Sequence, residues 1–163
     1  MRMLQALMRD PLTGSDQPFM DMLKDYYHQY RGKRANTMDF QRTVSGHMGK
    51  DMSWFFDQWI YGTDIPVYEY GYTVKEQTPG RFLLTLRVRQ ENVEENFRMP
   101  VPVEIRFENE DLTPVRDTIL VQGDVSEKRF SLQAEPGELI FNVDDVVLSE
   151  WDETDYEDIV PQR

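Results

Sequence analysis

The stretch Asp51–Pro66, DMSWFFDQWIYGTDIP, decides how this chain is organised. Met52, Phe55, Phe56, Trp59 and Ile60 recur at i, i+3, i+4, i+7 and i+8, the stripe of an amphipathic helix that Asp51 caps and Gly62 stops. Each large aromatic can bury roughly 150–250 Å². A lone helix in water cannot cover that area, and aromatics at helical spacing are mostly core, so the stripe is expected to be core rather than a ligand platform. Ile65-Pro66 then hands over to a sequence with a different rhythm.

Upstream of this stretch the period is helical. Met1, Leu4, Leu7 and Met8 mark a helix over Met1–Arg9 that has no cap residue before it and resembles the tail of a longer one. After a loop at Asp10-Pro11 and Thr13-Gly14, Ser15 is the expected cap of a helix that runs to about Arg31. Pro18 sits near its start, and Phe19, Met22, Leu23, Tyr26, Tyr27 and Tyr30 form a wide apolar face. Gly32 ends it. Asn36 or Thr37 caps a third helix with Phe40, Val44 and Met48 as core positions, and Gly49-Lys50 breaks it.

Downstream the period changes to two. Val67–Val74, Arg81–Arg89, Phe97–Phe107, Val115–Val121, Lys128–Leu132 and Leu139–Val143 read as short strands separated by turn signals, the pattern of an antiparallel sandwich. Pro100 and Pro102 put the start of the third strand at an edge or outside the ladder. Residues 150–158, EWDETDYED, carry six acids and no base and read as a fraying or disordered tail. The fold class is therefore α+β: about four helices over residues 1–64, an all-β sandwich over 65–149, and an acidic tail over 150–163.

Charge follows the same boundary. Residues 1–64 balance eight Lys/Arg against eight Asp/Glu, so the net −12 of the 163-residue chain lies wholly beyond them. Such a surface repels phosphate backbones, which argues against a nucleic-acid partner. No run of about 18 apolar residues is present, so no membrane-spanning helix is expected. The absence of Cys removes disulfides and thiolate metal sites but leaves the compartment open.

The residues that could carry chemistry are few. His28 and His47 lie on separate helices, outside any His-Glu-x-x-His run, and the first Glu of the chain is Glu69, so no zinc set is expected. Neither Ser45 nor Ser53 sits on an elbow-like turn that would expose a nucleophile. Asp144-Asp145 lacks the alternating acids and glycine turn of a Ca²⁺ loop. The many carboxylates beyond residue 64 read as solvated faces rather than a glycosidase pair. No catalytic, cofactor-binding or metal-ligating residue is expected, nor any cofactor held by this chain. On composition and pattern alone, a stand-alone β-sandwich binding or interaction module is the alternative function.

Three segments carry a resemblance. They are Asp25-Tyr26-Tyr27-His28-Gln29-Tyr30-Arg31-Gly32-Lys33, then Ala35-Asn36-Thr37-Met38-Asp39-Phe40, then Gly49–Gly62. Together they closely resemble the end of the helical catalytic domain in the M1 family of zinc aminopeptidases, where a β-sandwich follows as it does here from Pro66. Met1–Met8 resembles the helix just after that family's catalytic tyrosine. Thr63-Asp64-Ile65-Pro66 stands where the family usually has Thr-Gly-Tyr-Pro.

The resemblance implies the C-terminal portion of such a peptidase, with an immunoglobulin-like sandwich. The parent would bind Zn²⁺ and cleave N-terminal residues from peptides. The family's zinc motif, its Gly-x-Met-Glu-Asn motif and its transition-state tyrosine do not occur in these residues, so no catalytic role transfers and this chain alone is expected to be inactive. Its implied partner is the upstream catalytic domain. Without that domain an apolar helical surface is left open, and the isolated chain is expected to self-associate.

Overall fold

Asn36 opens the third helix with a reciprocal pair of bonds: its side chain accepts from the Asp39 amide at 3.0 Å, and its own amide donates to the Asp39 carboxylate at 3.0 Å. This capping box satisfies two amides that a helix start leaves without partners. The structure, a computed structural model, describes residues 1–161; Gln162 and Arg163, at the end of the expected tail, lie outside them. The chain is α+β, and it divides into two units, Met1–Asp64 and the residues from Ile65 on.

The first unit holds α1 (Arg2–Met8), α2 (Gln17–Tyr30), α3 (Thr37–Met48) and α4 (Ser53–Phe56), the last continued by a π-helical turn over Asp57–Tyr61. Ser15 Oγ accepts from the Gln17 amide at 3.1 Å, while the Asp16 carboxylate turns back to α1. There it accepts from Gln5 Nε2 and Arg9 Nε, each at 2.8 Å, and so ties the first two helices together. Leu4, Met8, Phe19, Met22, Val44, Met52, Phe55 and Phe56 form the buried core. The cover for the aromatic helix is thus supplied largely by α1, α2 and α3.

One expected core position leaves that core. The Gly62 amide donates to the Asp57 carbonyl at 2.7 Å, an i→i+5 bond. A π turn takes more residues per revolution, so side chains after Asp57 fall behind the α-helical phase. Trp59 stays half-buried against the core, but Ile60 turns outward and is 54 % exposed. The turn closes only on glycine: a Cβ on Gly62 would stand 2.6 Å from the Gln58 carbonyl oxygen.

The second unit packs two sheets. Its strands are β1 (Val67–Thr78), β2 (Arg81–Glu91), β3 (Arg98–Phe107), β4 (Val115–Gln122), β5 (Val125–Leu132), β6 (Pro136–Phe141) and β7 (Glu150–Glu153). One sheet has the order β5-β2-β1-β7, the other β4-β3-β6. Alternation places Leu84, Leu86 and Val88 of β2 and Met99, Val101, Val103 and Ile105 of β3 in the core. Tyr68 and Tyr70 of β1 meet Phe141 of β6 at 5.7 and 4.8 Å between ring centres, which joins the two inner faces.

One expectation holds and one needs correction. Strand β3 is the centre of its sheet, but its start, with Pro100 and Pro102, is an edge as expected. It pairs with β4 from Arg98 onward but with β6 only from Val103, so both prolines sit where one side of the strand has no neighbour to receive an N–H. The acidic stretch 150–158 is ordered rather than frayed. Glu150–Glu153 pairs in parallel with Val67–Tyr70, and a 3-10 turn, Tyr156–Asp158, lies against β1. The ladder uses backbone groups, so the exposed acids Glu150 and Asp152 need not enter the core, Glu153 accepts from the Tyr70 hydroxyl, and Ile159 is buried as an apolar anchor.

Candidate functional site

The helical unit brings one histidine to a partner. His47 of α3 places Nε2 3.0 Å from Asp25 Oδ2 of α2. A His–Asp pair can orient a base, but catalysis also needs a nucleophile beside it. Ser45 is otherwise engaged: its Oγ accepts from the Met52 amide at 3.1 Å and shapes the entry to α4. Ser53 donates its hydroxyl to Asp51 at 2.6 Å, a bond local to the helix start. His28 is exposed on α2, its ring edge-on to Tyr27. The pair therefore serves as a tie between two helices.

In the second unit the most buried charge is Glu104, on the outer face of β3 and 4 % exposed. It accepts from Arg106 Nε at 2.9 Å and from Arg116 Nε at 2.7 Å. Arg106 reaches on to Glu138, and Arg116 to Asp144, so alternating charges run across β6, β3 and β4. Burial pushes the Glu104 carboxyl up, but the two arginines outweigh it and hold it below the ordinary glutamate value. A carboxylate held ionised between two guanidinium groups is a poor proton donor and a sound cross-link. On the other sheet, Arg89 pairs with Glu69 across β1 and β2.

Tyr68 and Tyr70 have hydroxyls whose acidity is suppressed, chiefly by burial, and for Tyr70 also by a bond to Glu153 at 3.0 Å. Neither is poised to lose a proton near neutrality. Asp144 and Asp145 lie in a left-handed turn after β6, with Asp144 directed to Arg116.

The described residues contain no group of three or more His, Asp or Glu side chains that could hold a metal ion. His47 and Asp25 make a pair without a third ligand, and His28 stands apart. A structural or catalytic zinc needs at least three protein ligands in one place, so the donors present do not fit the metal. No described helix is long and apolar enough to cross a membrane.

The Glu104 network and the ordered acidic segment escaped the sequence reading. Glu104 and Arg106 stand two apart on a strand, but only the register that sets Arg116 opposite Glu104 makes them a unit.

No known family profile matches the chain, and no curated protein sequence matches it. Among solved structures, it is similar to Legionella pneumophila aminopeptidase A in complex with aspartic acid, with a TM-score of 0.67 and 17% identity, over 93% of this chain and 16% of that one. The chain thus spans only 16% of the length of the aminopeptidase it matches. At that identity the likeness is one of fold: the arrangement of helices and sheets described above is one that also occurs within an aminopeptidase.

Proposed function

We propose that this chain is the C-terminal portion of an M1-like zinc aminopeptidase, comprising the closing helices of its catalytic domain and the immunoglobulin-like sandwich after them. One coincidence carries the reading. The segment Gly49–Gly62 resembles one place in that family, and the fold around it matches an aminopeptidase over 93% of the chain. Strand order supports the sandwich assignment, since β1-β2-β5 and β4-β3-β6 pair as strands A-B-E and C′-C-F of immunoglobulin-like domains do.

In this reading the parent removes N-terminal residues from peptides, and its zinc and bond-breaking groups lie in another part of the protein. The residues of this chain supply packing and orientation. Met20 and Tyr27 lie on one exposed flank of α2, and Ile60 and Tyr61 project from the π turn. These are the surfaces offered to the upstream catalytic domain.

An assay of the purified chain with an aminoacyl anilide and added Zn²⁺ tests the division of labour. Hydrolysis should not exceed that of buffer with zinc. Zinc-dependent turnover that disappears on chelation would overturn the assignment.

A further inference from the structure

The segment after β6 is a connection followed by an arm that pairs with β1. Residues 142–149 form a short connection from one sheet to the other, and within it Asn142, Asp144 and Asp145 have φ of 49°, 64° and 47°. Left-handed backbone is disfavoured for any residue with a side chain, though least for Asn and Asp. One clasp opposes that strain. Asn142 Oδ1 accepts from the Val147 amide, and its Nδ2 donates to the Val147 carbonyl, both at 2.9 Å.

Beyond the connection the arm lies on β1 and β2. The Glu150 amide donates to Pro66 O at 3.1 Å and the Thr154 amide to Tyr70 O at 2.9 Å. The Arg87 guanidinium stands 4.1 Å from the centre of the Tyr156 ring, and Ile159 is fully buried. The receiving surface is shaped for this arm: a Cβ on Gly71 would stand 2.6 Å from the Thr154 carbonyl oxygen.

We propose that residues 150–160 exchange between two copies of this chain, so that the face of β1 and β2 under the arm is an interface for the same arm of a second copy. The cis arm already shows which occupant fits. Every contact it makes is regained in the partner, and reciprocal exchange closes a two-fold dimer with no open surface. Straightening residues 142–149 lets the left-handed residues relax, and short connections under strain favour such exchange. The Asn142 clasp and the tether, which holds the cis arm at an effective concentration in roughly the millimolar range, oppose it. Exchange therefore belongs to concentrated or co-refolded protein. It is independent of the peptidase reading.

The chain has no Cys, so introduced thiols report without background. Glu69 and Asp152 face each other in the β1–β7 register. Single variants Glu69→Cys and Asp152→Cys are mixed, co-refolded at high concentration and oxidised, and the disulfide dimers are identified by mass spectrometry. Exchange predicts the mixed disulfide well above its statistical share. It also predicts a several-fold lower yield with Asp145→Gly, which accepts positive φ without strain, and a higher yield with Asn142→Ala, which loses the clasp. Dimers in statistical proportion, no dimers, or yields unmoved by both hinge variants would overturn the proposal.

Discussion

The ring of Phe56 stands edge-on to that of Phe40, 5.9 Å between centres at 68°. It is one link in a series that runs Tyr30, Tyr26, Phe40, Phe56, Phe55, Trp54, with successive centres 5.0 to 5.9 Å apart. The series joins α2, α3 and α4, and it answers how a helix so rich in aromatics is covered. Phe56 is 1 % exposed, so Phe56→Ala removes a ring from the middle of the core and should cost about 3–5 kcal/mol. Ile60→Ala lies on the same sequence stripe but past the π turn, and should cost about 0.5 kcal/mol or less. Urea denaturation of both variants reads the contrast. Equal losses would contradict the outward turn of Ile60.

Glu104→Gln should destabilise the second unit by about 1.5–3 kcal/mol, the usual worth of hydrogen bonds to a charged group. The effect carries a pH signature. The Glu104 carboxyl is held below the ordinary value of 4.5, so its contribution is present above pH 4.5 and is lost as pH falls through the folded-state value. The stability gap between wild type and variant should therefore be largest near neutrality and close in acid. A gap of equal size at both ends of a pH series of melting curves would show that the charge is not the source.

Gly71→Ala tests the ordered acidic segment. The added methyl meets the backbone of Thr154 and Tyr156 rather than a movable side chain, so the segment must lift. Limited proteolysis should then cut between residues 148 and 160 several-fold faster than in wild type, with the remaining strands protected. Unchanged cleavage would mean that the segment does not depend on close approach to β1.

How much of this was legible in the sequence varied with the kind of signal. The start of α3 was readable because Asn36 and Asp39 stand at the fixed offset that a capping box requires, whereas α2 and α4 take their caps one residue after the expected Ser15 and Asp51. Most strands were readable from the alternation of Leu84, Leu86 and Val88 or Val101, Val103 and Ile105. The π turn was not, because Asp57–Tyr61 suits either helical pitch, and the choice rests on where Gly62 lets the chain end. Strand β7 was hidden for a different reason. Its acids signal solvent, while its pairing depends on backbone and on the missing side chain of Gly71, far away in sequence. Among the described residues no cluster of reactive side chains announces an activity, so the functional reading rests on resemblance rather than on a site.

In the proposed reading these residues belong to a peptidase whose metal and catalytic groups are encoded elsewhere in the same protein. Sequencing the reading frame upstream of Met1 tests it most directly. The expected result is an open frame, continuous with Met1, that encodes a His-Glu-x-x-His motif followed at a distance by a further Glu. An in-frame stop codon immediately before Met1, or a continuous frame without that motif, would contradict it.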